Sequence, residues 1–182
     1  GGTCLIWGCI PTKALLEQAH ALKVVRQAAE FGVILPEGSV GIDMGRVQDR
    51  KVRIDAGLTR GIEDLFKRNK SDWIKGTARL AGQGRVEVAG AGSASLTAAD
   101  IVIATGSAPQ GVPGIQIDRK RIITSDEAIA LREVPRSLVV LGSGAVGVEF
   151  ASLYRRFGSQ VTLIELLPRL VKREDLRHYQ QL

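Results

Sequence analysis

Apolar residues recur at Leu15, Leu16, Ala19, Leu22 and Ala29, with Glu17, His20, Lys23 and Gln27 between them. This is the spacing of a helix face that packs on a core. It predicts a helix from Pro11 to about Glu30, with Pro11 as the first helical residue, where its missing N–H is not needed. Residues 31–45 carry Gly, Pro and Ser and read as a connector. A second, charged helix is predicted from Arg46 to about Asn69, ending in Leu65 and Phe66. Its basic residues are interleaved with Asp49, Asp55, Glu63 and Asp64, which makes a solvated face rather than a nucleic-acid surface.

From Asp72 to Ser107 the texture changes to short β-type segments at Trp73-Ile74, Arg85 to Val88 and Ile101 to Ile103, separated by Gly and Ala. A small antiparallel excursion is predicted there. Pro109, Pro113 and Gly114 follow as a linker-like passage, which puts a domain boundary near Ile115 to Asp118 and divides the chain into 1–116 and 117–182. After Pro135 the pattern becomes strand (Ser137 to Leu141), Gly-rich turn, helix (Val148 to Phe157) and second strand (Gln160 to Ile164). The fold class is therefore α/β.

Composition narrows the function classes. The 182 residues are 45% hydrophobic and 24% charged, with no apolar run of membrane-spanning length, so a disordered tail and a spanning helix are both excluded. A net charge of +6 could suit an anionic partner, but 4% aromatics argues against a stacking platform for single-stranded nucleic acid. Two cysteines make no disulfide scaffold and nothing resembles a signal peptide, so a reducing cytoplasm is the expected setting.

Those two cysteines, Cys4 and Cys9, are followed at once by Ile10-Pro11-Thr12-Lys13. Five residues of regular helix advance about 7.5 Å, more than the about 4.4 to 6.8 Å between the Cα atoms of a disulfide. Gly8 and Pro11 relieve this by letting Cys4 lie on a bent approach while Cys9 sits at a helix entrance, where the positive dipole end favours thiolate. Neither histidine, His20 nor His178, stands at zinc-ligand spacing from them. Spacing alone leaves a redox couple and two inert thiols both open.

Gly142-Ser143-Gly144-Ala145-Val146-Gly147 leads into the Val148 to Phe157 helix, with Val148 and Glu149 directly after it, and Glu165 follows the strand Gln160 to Ile164. In such a unit the first glycine makes the turn, the second lets backbone approach a pyrophosphate and the third lets helix pack on strand. Glu165 stands where a carboxylate accepts both ribose hydroxyls of a dinucleotide. Strand, turn, helix, strand and terminal acid together make a far more specific signal than the glycines alone.

Taken together, Gly1 to Leu16 (GGTCLIWGCIPTKALL) resembles the active-site segment of the flavin disulfide reductases, most closely their dihydrolipoamide dehydrogenase branch. Ala104-Thr105-Gly106-Ser107 is similar to the central FAD-contacting segment of that family, and Gly142 to Glu165 to its NAD fingerprint. The resemblance implies a partial FAD-binding domain at 1–116, carrying the antiparallel excursion, and the start of a Rossmann-like NAD-binding domain at 117–182. Cys4 then matches the interchange thiol that meets the dithiol substrate, and Cys9 the thiol that exchanges electrons with the flavin. Lys13 matches a lysine beside the flavin's reactive edge, with Glu149 as its partner. Gly1, Gly2, Thr3 and Cys4, with Thr105, Gly106 and Ser107, match FAD-contacting positions, and Ala78 a backbone contact to adenine. Metal has no part in it.

The family often has Asn-Val where Ile6-Trp7 stands, and a Ser at Thr12; both departures read as tuning. The stretch from Lys172 to Leu182 no longer follows the family pattern, and Arg169 is placed to reach a phosphate, as in NADP-using relatives. The chain opens without Met and reads as a central fragment, lacking a first Gly-rich FAD-binding unit and a dimer-interface domain. On its own it is expected to bind FAD poorly and not to turn over. The parent would be a homodimer acting on the dihydrolipoyl group of a carrier protein, from a 2-oxo acid dehydrogenase complex or the glycine cleavage system, with no nucleic-acid or membrane partner. A glutathione- or mercuric-reductase-like member is the alternative within the family, and a non-redox nucleotide-binding module outside it.

Overall fold

The structure is a computed structural model and describes residues 2–36, 38, 40–168 and 170. Gly1, Arg169 and the stretch from Lys172 to Leu182, on which expectations fall, lie outside the described residues. Residues 57–107 group into one compact unit, and residues 2–56 with those from 108 onward into another.

In the larger unit, a single turn of π-helix at Thr3–Trp7 leads through Gly8 into α1 (Cys9–Arg26). Pro11 is the third helical residue, not the first. The first-turn N–H groups have no acceptor within the helix and residue i−4, Trp7, lies outside it, so proline is tolerated this far in. Leu15, Ala19 and Leu22 are buried as the spacing predicts. Past Arg26 the backbone tightens into a 3-10 turn at Ala28–Phe31, and Ala28 rather than Ala29 is buried. The tighter winding shifts the phase of the apolar face by about one position.

The second helix, α2, spans Met44–Arg68, close to the predicted range. Its first turns bury Met44, Val47, Gln48 and Lys51. Gln48 Nε2 donates to the carbonyls of Ile129 (3.2 Å) and Leu131 (2.8 Å), and Lys51 Nζ donates to that of Ile129 (3.3 Å). Burial is the first cause that pushes the Lys51 ammonium down and the Asp55 carboxyl up, each opposed by the other's charge.

The smaller unit holds a meander of β1 (Thr77–Leu80), β2 (Arg85–Ala89) and β3 (Ala94–Thr97), antiparallel throughout, in the order β1-β2-β3. The predicted excursion is therefore present, but two of its three segments are not strands. After α2, Lys70 turns the chain at φ 52° and Ser71 N–H returns to the Phe66 carbonyl (2.9 Å). Trp73 is thereby stacked at an angle on Phe66 (centroids 6.0 Å apart), with the Lys75 ammonium 4.3 Å from its ring centre. Ile101 to Ile103 has strand-type residues but no ladder partner among the described residues, and Val102 is 88% exposed. No residue of 57–107 is buried.

Beyond 107 a four-residue helix, α3 (Ser125–Ala128), starts on a capping box in which Thr124 and Glu127 exchange hydrogen bonds. Then β4 (Ser137–Leu141), α4 (Ala145–Phe157) and β5 (Gln160–Ile164) follow, with β4 and β5 parallel from Ser137↔Gln160 to Leu141↔Ile164. Phe150, Leu153, Tyr154 and Phe157 of α4 pack with Leu15, Ala19 and Leu22 of α1, Met44 and Val47 of α2, and Ala128 and Ile129, in one core. The ring of Tyr154 stacks on Phe150 and meets Phe157 edge-on, while its hydroxyl donates to the Ala128 carbonyl and burial raises its phenol well above the ordinary range. The packing of α1 against α4 is what positions the candidate site.

Candidate functional site

The first part of the site is the start of α1. The π-helical turn closes with Ile6 N–H on the Gly2 carbonyl (2.9 Å), and Thr12 N–H reaches back to that of Gly8 (3.1 Å). A Cβ on Gly8 would lie 3.1 Å from the Thr3 carbonyl oxygen, so the glycine lets the two helical pieces approach. That approach brings the two cysteines near each other, and both are free and exposed. Side-chain hydrogen bonding to Cys9 is the first cause that raises the Cys4 thiol above its ordinary value; burial and the charge Cys9 would carry add to it, and the Cys9 N–H and the Lys13 charge oppose it. Cys9, the first residue of α1, sits at the positive end of the helix.

Lys13 follows Cys9 by four residues and so shares its face of α1. Its ammonium donates to Glu149 Oε1 on α4, forming an ion pair. The pair borders a cleft of about 460 Å³ between α1 and α4, whose walls also carry Glu17, His20 and Arg156. Nothing in the sequence singles out these last three for a site, because Glu17 and His20 lie on α1 and Arg156 far along the chain on α4, and only helix packing assembles them.

The second part is the Gly-rich turn. Gly142 stands at φ 97°, and its N–H donates to the Ile164 carbonyl (2.8 Å) at the end of β5. Gly144 caps α4, and a Cβ there would meet nothing within 4 Å, so the turn is open to an incoming group. Gly147 is the opposite case: its Cβ would lie 2.0 Å from the Gly142 carbonyl oxygen. Ala145, Val146 and Gly147 form the first helical turn and point N–H groups that have no acceptor within the helix toward that opening; Val148 N–H is the first to close on Gly144 (3.0 Å). This is an anion cradle of the kind a dinucleotide pyrophosphate fits.

Glu165 closes the turn from the far side. Its Oε2 accepts both the N–H (2.8 Å) and the hydroxyl (2.7 Å) of Ser143, and its Oε1 accepts the Leu167 N–H (2.9 Å). The Leu167 N–H first, then Ser143, hold the carboxyl down to about 2. The Ser143 clamp was not read from the sequence. Its only signal there is a hydroxyl between the first two glycines.

A family model described as Pyridine nucleotide-disulphide oxidoreductase matches residues 1–181. The chain belongs to that family. Among curated relatives it is 49% identical over 172 residues to dihydrolipoyl dehydrogenase 3 of Pseudomonas aeruginosa, covering 93% of this chain and 37% of the relative. It is 41% identical over 176 residues to dihydrolipoyl dehydrogenase of Bacillus subtilis, covering 96% and 38%. The chain thus spans less than two-fifths of these relatives' length. Of solved structures, it is similar to the HOCl-induced flavoprotein disulfide reductase RclA of Escherichia coli, at a TM-score of 0.77 and 29% identity, covering 99% of this chain and 37% of that one. The fold is shared also with LpdA of Mycobacterium tuberculosis, at a TM-score of 0.85 and 24% identity, covering 100% and 40%.

Four of the remaining expected site residues lie in the smaller unit. Ala78 is the second residue of β1 and is exposed, as are Thr105, Gly106 and Ser107, which belong to no helix or strand. In the larger unit, Gly2 precedes the π-helical turn in a left-handed conformation and Thr3 opens it. No helix among the described residues is long and apolar enough to cross a membrane, and no cluster of three or more metal-ligating side chains occurs among them.

Proposed function

We propose that this chain is part of an FAD-dependent, NAD-linked dihydrolipoyl dehydrogenase. The observation that carries the reading is the placement of Cys9 at the start of α1, with Cys4 on the π-helical turn that Gly8 lets approach it, one helical turn from the Lys13–Glu149 pair. Two inert thiols need no such placement, and the family to which the chain belongs supplies the chemistry for it.

In the oxidised state Cys4 and Cys9 would be a disulfide. A substrate thiolate attacks Cys4, Cys9 leaves as thiolate, and the second substrate thiol then displaces Cys4, so the dithiol departs as a disulfide with two electrons left on the cysteine pair. FAD bound beside Cys9 would supply the two-electron acceptor for the cysteine pair and the hydride donor for NAD. Gly1, Gly2, Thr3, Cys4 and Lys13, with Ala78, Thr105, Gly106 and Ser107, are the positions we assign to holding the flavin. The exposed Thr105 and Ser107 and the flexible Gly106 between them suit that task. Lys13, held by Glu149, keeps a positive charge on the face of α1 that bears Cys9. We assign Gly142 to Glu149 to the NAD site, with the Gly142 to Gly147 turn at the pyrophosphate, and Glu165 to the ribose, with 1–116 as the FAD-binding part and 117–182 as the NAD-binding part. The substrate is the dihydrolipoyl group of a carrier protein, the assembly a homodimer, and the setting a reducing cytoplasm.

The test is a thiol titration of the intact protein with one equivalent of dihydrolipoamide under anaerobic conditions, followed by addition of NAD. Two thiols are expected to appear together and NADH to form on addition of NAD. Thiols that appear independently of the dithiol, or NADH formation that survives Cys4→Ser, would refute the reading.

A further inference from the structure

Glu165 does not simply project from the end of β5. Both donors of a single residue, the N–H and hydroxyl of Ser143, converge on Oε2 at 2.8 and 2.7 Å, and the Leu167 N–H takes Oε1 at 2.9 Å. Ser143 is itself 1% exposed, fixed between Gly142 and Gly144 in the turn that would face a pyrophosphate. A carboxylate oxygen accepts about two hydrogen bonds. Oε2 thus already takes two donors from inside the turn, while Oε1 takes the Leu167 N–H, with the Leu166 N–H acting on the same carboxylate, and is the oxygen turned away from Ser143.

We propose that Ser143 is a positioning residue for nucleotide selection: by clamping Oε2 it fixes which oxygen of Glu165 is offered to the adenosine ribose, so that preference for NAD over NADP depends on Ser143 as well as on Glu165. This rests on the dinucleotide reading given above. The physical cause is pre-organisation. A glutamate side chain that has three rotatable bonds loses that freedom on binding unless it has already been lost in folding. Held in one orientation, it meets a ribose hydroxyl without further ordering, and its fixed charge stands against a 2′-phosphate. Ser143→Ala keeps the backbone N–H bond, removes one oxygen and adds no bulk, so the fold is expected to survive.

The experiment measures dissociation constants of NAD and NADP for the intact wild-type protein and Ser143→Ala, with Glu165→Ala as the reference for complete loss. The Glu165 carboxyl is followed in parallel by ¹³C NMR as pH is lowered. In Ser143→Ala the NAD constant is expected to rise about three- to tenfold, with the NADP constant changing less. The Glu165 resonance is expected to begin protonating at higher pH than in the wild type. An NAD/NADP ratio unchanged in Ser143→Ala would overturn the proposal, even if the resonance shifts, because the clamp would then be structural only. An unshifted resonance would overturn it by showing that the hydroxyl does not hold the carboxylate. Wild-type protein that binds neither nucleotide would sink the dinucleotide reading itself and the selectivity claim with it, an outcome distinguishable because the resonance would still report the clamp.

Discussion

The Lys13 ammonium on α1 and the Glu149 carboxylate on α4 form an ion pair across the interface of the two helices that build the core. Lys13 is more than half exposed and Glu149 is 29% exposed, so solvent screens the pair. Packing of Leu15 and Ala19 against Phe150 and Leu153 holds the helices together. The ion pair adds orientation rather than stability, since it ties the lysine to the same face of α1 that carries Cys9.

Glu149→Gln should therefore change unfolding free energy by less than about 1 kcal/mol in urea denaturation. The rate at which the dithiol reduces the bound flavin should fall in the same variant. A large stability loss would mean that the pair is structural.

Gly147→Ala and Gly144→Ala should separate packing from binding. The first drives a Cβ to 2.0 Å from the Gly142 carbonyl and should cost about 1 to 3 kcal/mol, read as a lowered melting temperature. The second adds a Cβ that meets nothing within 4 Å and should melt like the wild type while binding NAD more weakly. Equal melting temperatures for the two variants would contradict the close approach seen at Gly147.

The reduced cysteines should alkylate unequally, and Cys9 is the cause. Because the Cys9 hydrogen bond is the first cause that raises the Cys4 thiol, Cys9→Ala should lower the Cys4 value toward that of an ordinary thiol. The thiolate is the reactive form, so iodoacetamide should modify Cys4 faster in Cys9→Ala than in the wild type at pH 8, and its rate profile should shift to lower pH. No shift would mean that the two thiols do not interact.

Tyr154→Phe keeps the stacked ring but removes the hydroxyl that reaches the Ala128 carbonyl. A buried acceptor deprived of its donor costs about 1 to 3 kcal/mol, measurable as a lower denaturation midpoint. Because burial already holds the phenol un-ionised well beyond its ordinary range, the difference between the two proteins should not vary between pH 6 and pH 9.

Sequence alone determined those parts of the protein whose cause is local. In the β4–turn–α4–β5 unit both strands were legible to the residue and the helix to its C-terminal end, because apolar strands, three glycines at fixed spacing and a helical period each act within a few positions; α4 begins at Ala145 rather than Val148, inside the Gly-rich turn itself. Cys9 at a helix entrance, with Cys4 on a bent approach, was legible for the same reason: Gly8 and Pro11 act on their immediate neighbours. The capping box at Thr124 and Glu127 is equally local, a T-x-x-E in the sequence.

Only tertiary structure decided the rest. Trp73-Ile74 and Ile101 to Ile103 carry strand-type residues, yet a strand exists only where a partner supplies the ladder, and Trp73 packs on Phe66 instead. Lys13 and Glu149 are 136 positions apart, and no periodicity links them; the burial of two apolar helix faces does. Ser143 could be read as part of a phosphate-binding turn but not as the clamp on Glu165, because that bond requires β4 and β5 to lie parallel in register so that the turn leaving one strand meets the end of the other.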